Sequence, residues 1–228
     1  MSNGRLAPTR VGVLGTGEVG RRLAAGFSSR GHDVMIGSRE PGKPELGEWL
    51  SGDGAGIEAG AFSETAAHGD LLVLAVLGNA AEQAIADAGT ERFAGKVVID
   101  ATNRMSFGAD GPDIDTGSSN AEELAALLPE ARVVKAFNTL FASHQADPIA
   151  QGVQLDGYVA ADDDAARAVV LELVESIGLT PVAVGPLVRA RQLEGLAFLN
   201  ISLNIANGGS WQSGWKLVGA PVALADAA

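Results

Sequence analysis

The sequence contains no cysteine, and this absence removes several classes of site at once. Structural disulfides, thiolate nucleophiles and sulfur metal ligands all require that residue. Histidine is also scarce, and the three copies, His32, His68 and His144, are scattered without the spacing of metal ligands. We therefore predict that the chain binds no metal and carries out no thiol chemistry.

Long hydrophobic runs and an excess of positive charge are missing as well. The longest apolar run, LLVLAV at 71–76, is far shorter than the roughly 20 residues that a membrane helix needs. The N-terminal MSNGRLAPTR has no signal-peptide core. A net charge of −12 repels phosphate backbones. We expect a cytoplasmic globular protein that binds neither a membrane nor nucleic acid.

Short runs rich in Val and Ile alternate with longer stretches rich in Ala, Leu and Glu. Several of the runs, such as LLVLAV and KVVIDA, are apolar on both faces, as strands buried between two helix layers must be. The alternation predicts an α/β protein with a Rossmann-type, doubly wound and mainly parallel sheet. Strands are predicted near 10–15, 33–37, 57–60, 71–77, 96–101, 132–138, 156–160 and 180–184. Helices are predicted near 18–30, 63–68, 79–88, 119–128, 163–177 and 189–207.

Two segments, 41–56 and 104–120, are predicted to be irregular. Structureless loops of this length are often lids or binding loops, and otherwise they are surface insertions. Both interpretations stay open for 41–56. A functional role is favoured for 104–120, because it follows the carboxyl end of a predicted strand.

Gly15, Gly17 and Gly20 form the pattern G-x-G-x-x-G between an apolar strand and a helix. In this context the first glycine makes a tight turn, the second lets the backbone approach a pyrophosphate, and the third allows helix and strand to pack closely. The start of the helix offers free N–H groups and the positive end of its dipole. Glu18 has the wrong charge for a phosphate, so we expect its side chain to point away.

The second predicted strand ends at Gly37, where sites selective for NAD carry an acidic residue for the ribose. This chain instead has Ser38, Arg39 and, slightly later, Lys43. A hydroxyl, a guanidinium and an ammonium suit a 2′-phosphate, which favours NADP over NAD. Glu40 is the one residue here that could serve the ribose instead.

With these residues in place, the chain resembles the family of NADP oxidoreductases that depend on the 8-hydroxy-5-deazaflavin coenzyme F-420. The resemblance runs from about residue 10 to residue 218. Its most diagnostic parts are VVKAFNT at 133–139 and the GPL…ARxLE pattern within 184–203, and membrane ferric reductases share the KAFNT segment in their cytosolic domains. Its other parts are GTGEVG, GHDVMIGSR at 31–39, VVIDATN at 97–103 and WKLVG at 215–219.

The resemblance implies hydride exchange between NADP(H) and coenzyme F-420. It also implies that the partners are small-molecule substrates and that the protein is a homodimer. It implies an NADP-binding Rossmann domain over 1–185 and a small helical portion over 186–228 that completes the substrate cleft and contributes a dimer contact. Thr16, Gly17, Glu18 and Val19 would line the pyrophosphate turn, and Val76 and Asn79 would flank the adenosine. Ala101 and Asn103 would approach the nicotinamide, and Asn138 and Thr139 would meet the deazaflavin. Where many relatives have a Pro-containing turn, this chain has Arg104-Met105, which puts the second substrate in doubt.

Hydride transfer between two stacked rings needs no triad, no metal and no dedicated general acid. We therefore predict no dedicated catalytic residue, only ring positioning by Asn103, Asn138 and Thr139. His144 is interpreted as a solvated loop residue rather than a proton donor. Lys135 is interpreted as an ion-paired residue near the start of its strand rather than a catalytic lysine. Reduction of a flavin, quinone, imine or small carbonyl, and a non-catalytic NADP-binding redox sensor, are the alternatives that remain open.

Overall fold

The structure is a computed structural model that describes residues 7–108, 111–114 and 117–219, without the side chains of residues 106–116. Within these residues helices α1–α7 span Glu18–Ser28, Pro44–Ser51, Phe62–His68, Ala81–Ala88, Asn120–Leu127, Asp164–Ser176 and Ala190–Ala206. Strands β1–β7 span Arg10–Leu14, Asp33–Gly37, Glu58–Gly60, Leu71–Leu74, Val97–Asp100, Met105–Gly108 and Gly111–Ile114. Strands β8–β12 span Arg132–Lys135, Ile149–Ala150, Val153–Gln154, Asp156–Ala161 and Thr180–Gly185.

Eight strands form one sheet in the order β12-β11-β8-β5-β4-β1-β2-β3. The six strands from β8 to β3 are all parallel, and their order matches the Rossmann arrangement of two mononucleotide-binding halves. Beyond them β11 runs antiparallel to β8, and β12 runs parallel to β11. The predicted mainly parallel, doubly wound sheet is confirmed.

Each face of the sheet is buried against its own helix layer. Alternate residues of β4 show this division: Leu71 and Val73 belong to one buried cluster, and Leu72 and Leu74 belong to the other. The first cluster includes Phe27 of α1 and residues of α6, and the second includes residues of α3, α4 and α5. Successive side chains of a strand point to opposite faces, so a strand apolar at every position lies between two layers.

All eight predicted sheet strands are present, but the two segments predicted as irregular contain regular structure. Segment 41–56 contains α2, which begins with Pro44 at its first turn and buries Leu46. Proline is compatible with that first position because its missing N–H would have no helical partner there. Segment 104–120 contains the antiparallel strands β6 and β7. The short pair β9 and β10 was also not predicted; its connection uses Gln151 and Gly152, both with positive φ.

Candidate dinucleotide and hydride-transfer site

The connections of the sheet change direction at β1. Strand β1 lies between β2 and β4, so the chain moves outward to one side after β1 and returns to the other side for β4. In open α/β sheets ligands bind at this switch point, beyond the carboxyl ends of the strands. Nearly all of the residues predicted for the site lie in the loops at this edge, directly after β1, β2, β4, β5 and β8.

The three glycines after β1 have three different geometries. Gly15 has φ +127°, and a Cβ there would lie 2.3 Å from the carbonyl oxygen of Ala75. A Cβ on Gly20 would lie 2.1 Å from the carbonyl oxygen of Gly15, so helix and turn touch at this point. A Cβ on Gly17 would meet nothing within 4 Å. Gly15 and Gly20 are therefore required by the protein's own packing, whereas the space beside Gly17 is open to a ligand.

Two cations hold Thr16 within this turn. The Nε of Arg21 donates to the Thr16 carbonyl at 3.0 Å, and the Lys43 ammonium donates to the Thr16 hydroxyl at 2.7 Å. Lys43 reaches the turn because it stands at the start of α2. Glu18 is exposed and lines a groove along the side of α1, together with Arg21 and Trp49. Glu18 thus adjoins the side groove, and Val19 packs partly against the core.

The loop after β2 contains the residues predicted for the 2′-phosphate. Ser38 is buried, its hydroxyl accepts from the Glu40 N–H at 3.1 Å, and its own N–H donates to Gly60. Arg39 is exposed. The structure places Ser38 and Arg39 beside the strand end and brings Lys43 to the glycine turn after β1.

The loop after β4 has an exposed apolar side chain that the sequence did not single out. Leu77 is 77% exposed and stands between Val76, which is half-buried, and Asn79, which is exposed. A single exposed leucine is unremarkable on most surfaces, but this one lies on the rim of the ligand crevice. Only its position in the fold distinguishes it, so the sequence carried no signal for it.

Asn103 and Asn138 form a reciprocal pair across the ends of β5 and β8. The Asn103 amide donates to the Asn138 carbonyl at 3.1 Å, and the Asn138 amide donates to Asn103 Oδ1 at 2.9 Å. The Asn138 amide also donates to the carbonyl of Leu193 in α7 at 3.0 Å. Asn138 Oδ1 is buried and has no donor among the described residues. Ala101, shortly before Asn103, and Thr139, directly after Asn138, are also buried.

Phe137 fixes the direction of the chain just before Asn138. Its φ is +64°, a conformation that is a clear outlier for a bulky residue. The ring is fully buried and packs edge-on against Phe27. The carbonyl of Phe137 accepts from the buried amide of Gln145 at 2.9 Å. Packing and this hydrogen bond thus hold a strained turn at the position where the Asn pair begins.

Beneath the Asn pair lies a buried charge cluster that consists of Lys135, Asp100 and Glu194. The three side chains are 0%, 0% and 4% exposed. The Lys135 ammonium donates to Asp100 Oδ2 at 2.8 Å, to Glu194 Oε1 at 2.6 Å and to the Thr102 carbonyl at 2.6 Å. The ion pair predicted for Lys135 is present, but its predicted place was wrong, because β8 ends at Lys135 rather than continuing to 138.

Glu194 is the main residue whose role sequence reasoning missed. Besides Lys135, its carboxylate accepts from the N–H groups of Arg104 at 3.1 Å and Asn120 at 2.9 Å. Glu194 lies in the diagnostic ARxLE pattern, and its membership of that pattern was the only signal that the sequence carried. Its partners are 59 to 90 residues distant in sequence, so only the fold reveals them.

His144 and two asparagines of α7, Asn200 and Asn204, are buried, and for His144 this contradicts the prediction. His144 is not solvated: its ring nitrogens lie 3.1 Å from the Asp147 carbonyl and 2.8 Å from the Gln212 carbonyl. Asn200 and Asn204 are buried and both bond to Ser213, so they tie α7 to the segment that follows it. These polar groups connect backbone segments, and the description of His144 as a loop side chain in water was wrong.

Among the described residues no group of three or more His, Asp or Glu could hold a metal ion. In the same part of the chain, no helix combines the length and apolar character of a membrane span.

A Rossmann-type sheet with an open glycine turn and polar loops at its carboxyl edge is typical of dinucleotide-dependent oxidoreductases. The family model described as NADP oxidoreductase, coenzyme F420-dependent, matches residues 10–104. The F420-dependent NADP reductase of Methanothermobacter thermautotrophicus is 34% identical over 212 residues, which cover 87% of this chain and 90% of that protein. The chain belongs to this family of NADP-dependent oxidoreductases.

Two further comparisons extend this result. The crystal structure of an Arthrobacter sp. FB24 protein assigned as an F420-dependent NADP-reductase has a TM-score of 0.85 and 32% identity, and covers 93% of this chain and 100% of that one. Metalloreductase STEAP3 of Rattus norvegicus is 30% identical over 188 residues, which are 82% of this chain but only 36% of that protein. The chain thus spans about a third of the metalloreductase and nearly all of the F420-dependent relatives.

Proposed function

We propose that the chain transfers hydride between NADP(H) and the deazaflavin coenzyme F-420. The observation that best supports this proposal is the composition of the cleft. The cleft combines a dinucleotide cradle with paired amides, and its buried ionisable groups are bonded to one another. When bound, NADPH supplies a hydride from C4 of its nicotinamide to C5 of the deazaflavin, whose ring nitrogen takes a proton from water. This chemistry needs ring positioning rather than a protein acid, and the cleft matches that need.

The residues present suit an NADP molecule at its pyrophosphate and at its 2′-phosphate. The free space at Gly17 and the N-terminal N–H groups of α1 suit the pyrophosphate. Ser38, Arg39 and Lys43 offer a hydroxyl and two cations for the 2′-phosphate, while Thr16 and Val19 line the turn between the two sites. Val76 and Asn79 would flank the adenosine from the loop after β4.

The Asn103–Asn138 pair and its neighbours would position the nicotinamide and deazaflavin rings. Asn138 Oδ1 is a buried acceptor without a donor among the described residues, which is costly unless a ligand supplies one. We propose that it accepts from a ring or carboxamide N–H, that Asn103 and Ala101 hold the nicotinamide, and that Thr139 meets the deazaflavin. The portion 186–228 would complete the cleft through α7, and we propose a cytoplasmic homodimer that binds no nucleic acid.

The direct test mixes the purified protein with oxidised coenzyme F-420 and NADPH and follows the coenzyme's visible absorption band. The band should bleach with NADPH and bleach much more slowly with NADH. An unchanged band at saturating NADPH would refute the deazaflavin as acceptor, and equal rates with the two nucleotides would refute the 2′-phosphate assignment.

A second acceptor class is favoured by one comparison and one local feature. The match to a metalloreductase covers most of this chain, and Arg104-Met105 replaces the Pro-containing turn next to the expected nicotinamide position. A free flavin, a quinone, an imine or a small carbonyl would then receive the hydride. An acceptor screen that follows NADPH oxidation, with coenzyme F-420 in parallel, distinguishes the two functions by the ratio of kcat/KM values.

A further inference from the structure

Glu194 holds both ends of the segment that follows the expected nicotinamide loop. One oxygen, Oε2, accepts from the N–H of Arg104, and the other, Oε1, accepts from the N–H of Asn120. Residues 105–119, which include β6 and β7, therefore begin and end at a single carboxylate. Asn120 is also the first residue of α5, so Glu194 stands at the positive end of that helix dipole.

The cluster around Glu194 has an excess of negative charge. Asp100 accepts from the Thr102 N–H, the Thr102 hydroxyl and Lys135, and every bond to Glu194 likewise comes from a donor. Carboxylates surrounded only by donors are the ionised form. Two carboxylates and one ammonium leave one net negative charge in a site that is closed to water.

Two arginines near the cluster in the described part of the chain, Arg104 and Arg191, do not cancel this charge. Arg104 forms an ion pair with Glu123, and Arg191 forms one with Glu122 at 2.7 Å. Each guanidinium thus has a carboxylate of its own. The start of α5 contributes about half of a positive charge, so part of the excess persists.

The cluster lies at the half of the sheet that would hold the nicotinamide. The glycine turn after β1 belongs to the half that binds the adenosine phosphates, and β4, β5 and β8 form the other half. Asp100 and Lys135 are the last residues of β5 and β8, directly before the loops with Asn103 and Asn138. A buried negative charge there favours a cationic ring over a neutral one.

We infer that Glu194 is a positioning residue that acts in two ways: it fixes the base of segment 105–119, and with Asp100 and Lys135 it stabilises oxidised over reduced nicotinamide. This inference rests on the NADP-binding part of the proposed function. It does not depend on which acceptor is used.

The test is a pair of isosteric variants, Glu194→Gln and Asp100→Asn, with binding of NADP⁺ and NADPH measured by calorimetry. Each variant removes one buried negative charge, but only Glu194→Gln alters the contacts to Arg104 and Asn120. We expect the ratio of the two dissociation constants to shift by about tenfold against NADP⁺ in both variants. Binding of 2′,5′-ADP, which lacks the nicotinamide, should stay the same.

Glu122→Gln is the matched control, because Glu122 also joins α5 to α7 but forms its pair outside the cluster. It should leave the ratio unchanged. If NADP⁺, NADPH and 2′,5′-ADP all weaken equally in Glu194→Gln, the residue is merely structural and the inference is wrong. If Glu194→Gln does not fold, Asp100→Asn decides, and an unchanged ratio there overturns the charge effect. Failure of the wild-type protein to bind either nucleotide would instead refute the proposed function.

Discussion

The ammonium of Lys43 donates a hydrogen bond to the hydroxyl of Thr16 at 2.7 Å, across 27 residues of sequence. Lys43 stands at the start of α2, and Thr16 lies in the turn between β1 and α1. The contact brings a positive charge to the glycine turn after β1 and also orients the Thr16 side chain. Lys43 is therefore held at the glycine turn by a hydrogen bond rather than extended into open solvent.

Replacing Lys43 by Met should weaken NADPH binding by about tenfold, because a charge-assisted contact to phosphate is lost. Thr16→Val should weaken it less. In a double-mutant cycle measured by calorimetry, the double variant should lose less binding free energy than the sum of the two single losses. The reason is that each single variant already breaks the Lys43–Thr16 bond. Additive losses would mean that the two side chains act independently on the nucleotide.

Arg39→Glu should raise the Michaelis constant for NADPH strongly and change that for NADH little. Arg39 is exposed beside the end of β2, where only the 2′-phosphate would need its charge. Arg30→Glu is the control, since Arg30 is an exposed arginine beyond the far end of α1. Steady-state kinetics with both nucleotides make the comparison. Equal losses for NADPH and NADH would show that Arg39 does not read the 2′-phosphate.

Gly17→Ala should impair NADPH binding, whereas Gly20→Ala should impair the stability of the protein. A methyl group at Gly17 meets no protein atom within 4 Å and suits the local backbone, so the protein should fold normally and bind NADPH weakly. A methyl group at Gly20 would press against the Gly15 carbonyl 2.1 Å away, so the free energy of unfolding should fall by about 1–3 kcal/mol. Thermal melts and calorimetric titrations measure the two quantities. Full NADPH affinity in Gly17→Ala would contradict the pyrophosphate assignment.

The sequence was sufficient where a residue's role depends on its immediate neighbours. Gly15 and Gly20 were predictable because a strand, a tight turn and a helix follow one another without a gap. Strands such as Leu71–Leu74 were predictable because burial on both faces leaves a continuous apolar run. The sheet strands and their supporting helices follow from such local patterns.

Roles that depend on distant partners were not predictable in this way. The Lys43–Thr16 contact requires α2, and Pro44 and the surrounding glycines made this segment resemble an irregular loop in the sequence. Glu194 was part of a diagnostic pattern, but its partners Arg104, Asn120 and Lys135 come together only when α7 docks beside β5 and β8. His144 has polar neighbours in sequence, which suggested solvent, although the segment around Gln212 covers it.

The link between α5 and α7 should make stability depend on pH through Glu122. Arg191 donates two hydrogen bonds of 2.7 Å to Glu122, and the hydroxyl and N–H of Ser119 also bond to it. Mainly because of Arg191, the pKa of Glu122 is lowered from 4.5 to about 2. A depressed pKa means that the ionised form is preferred in the folded state, so its contribution is complete above the unfolded value of 4.5 and is lost as the pH falls towards 2.

Glu122→Gln should therefore lower the free energy of unfolding by about 1 kcal/mol at neutral pH, a modest value because the pair is partly exposed to water. The difference from the wild-type protein should shrink as the pH falls below 4.5. Urea unfolding at neutral pH and near the acid limit of folding measures it. Arg191→Met should show the same pH-dependent loss, and the double variant should add little, because both changes remove one ion pair. A gap between Glu122→Gln and wild type that is equally large in acid would mean that its stability loss comes from packing, not from the ionised pair.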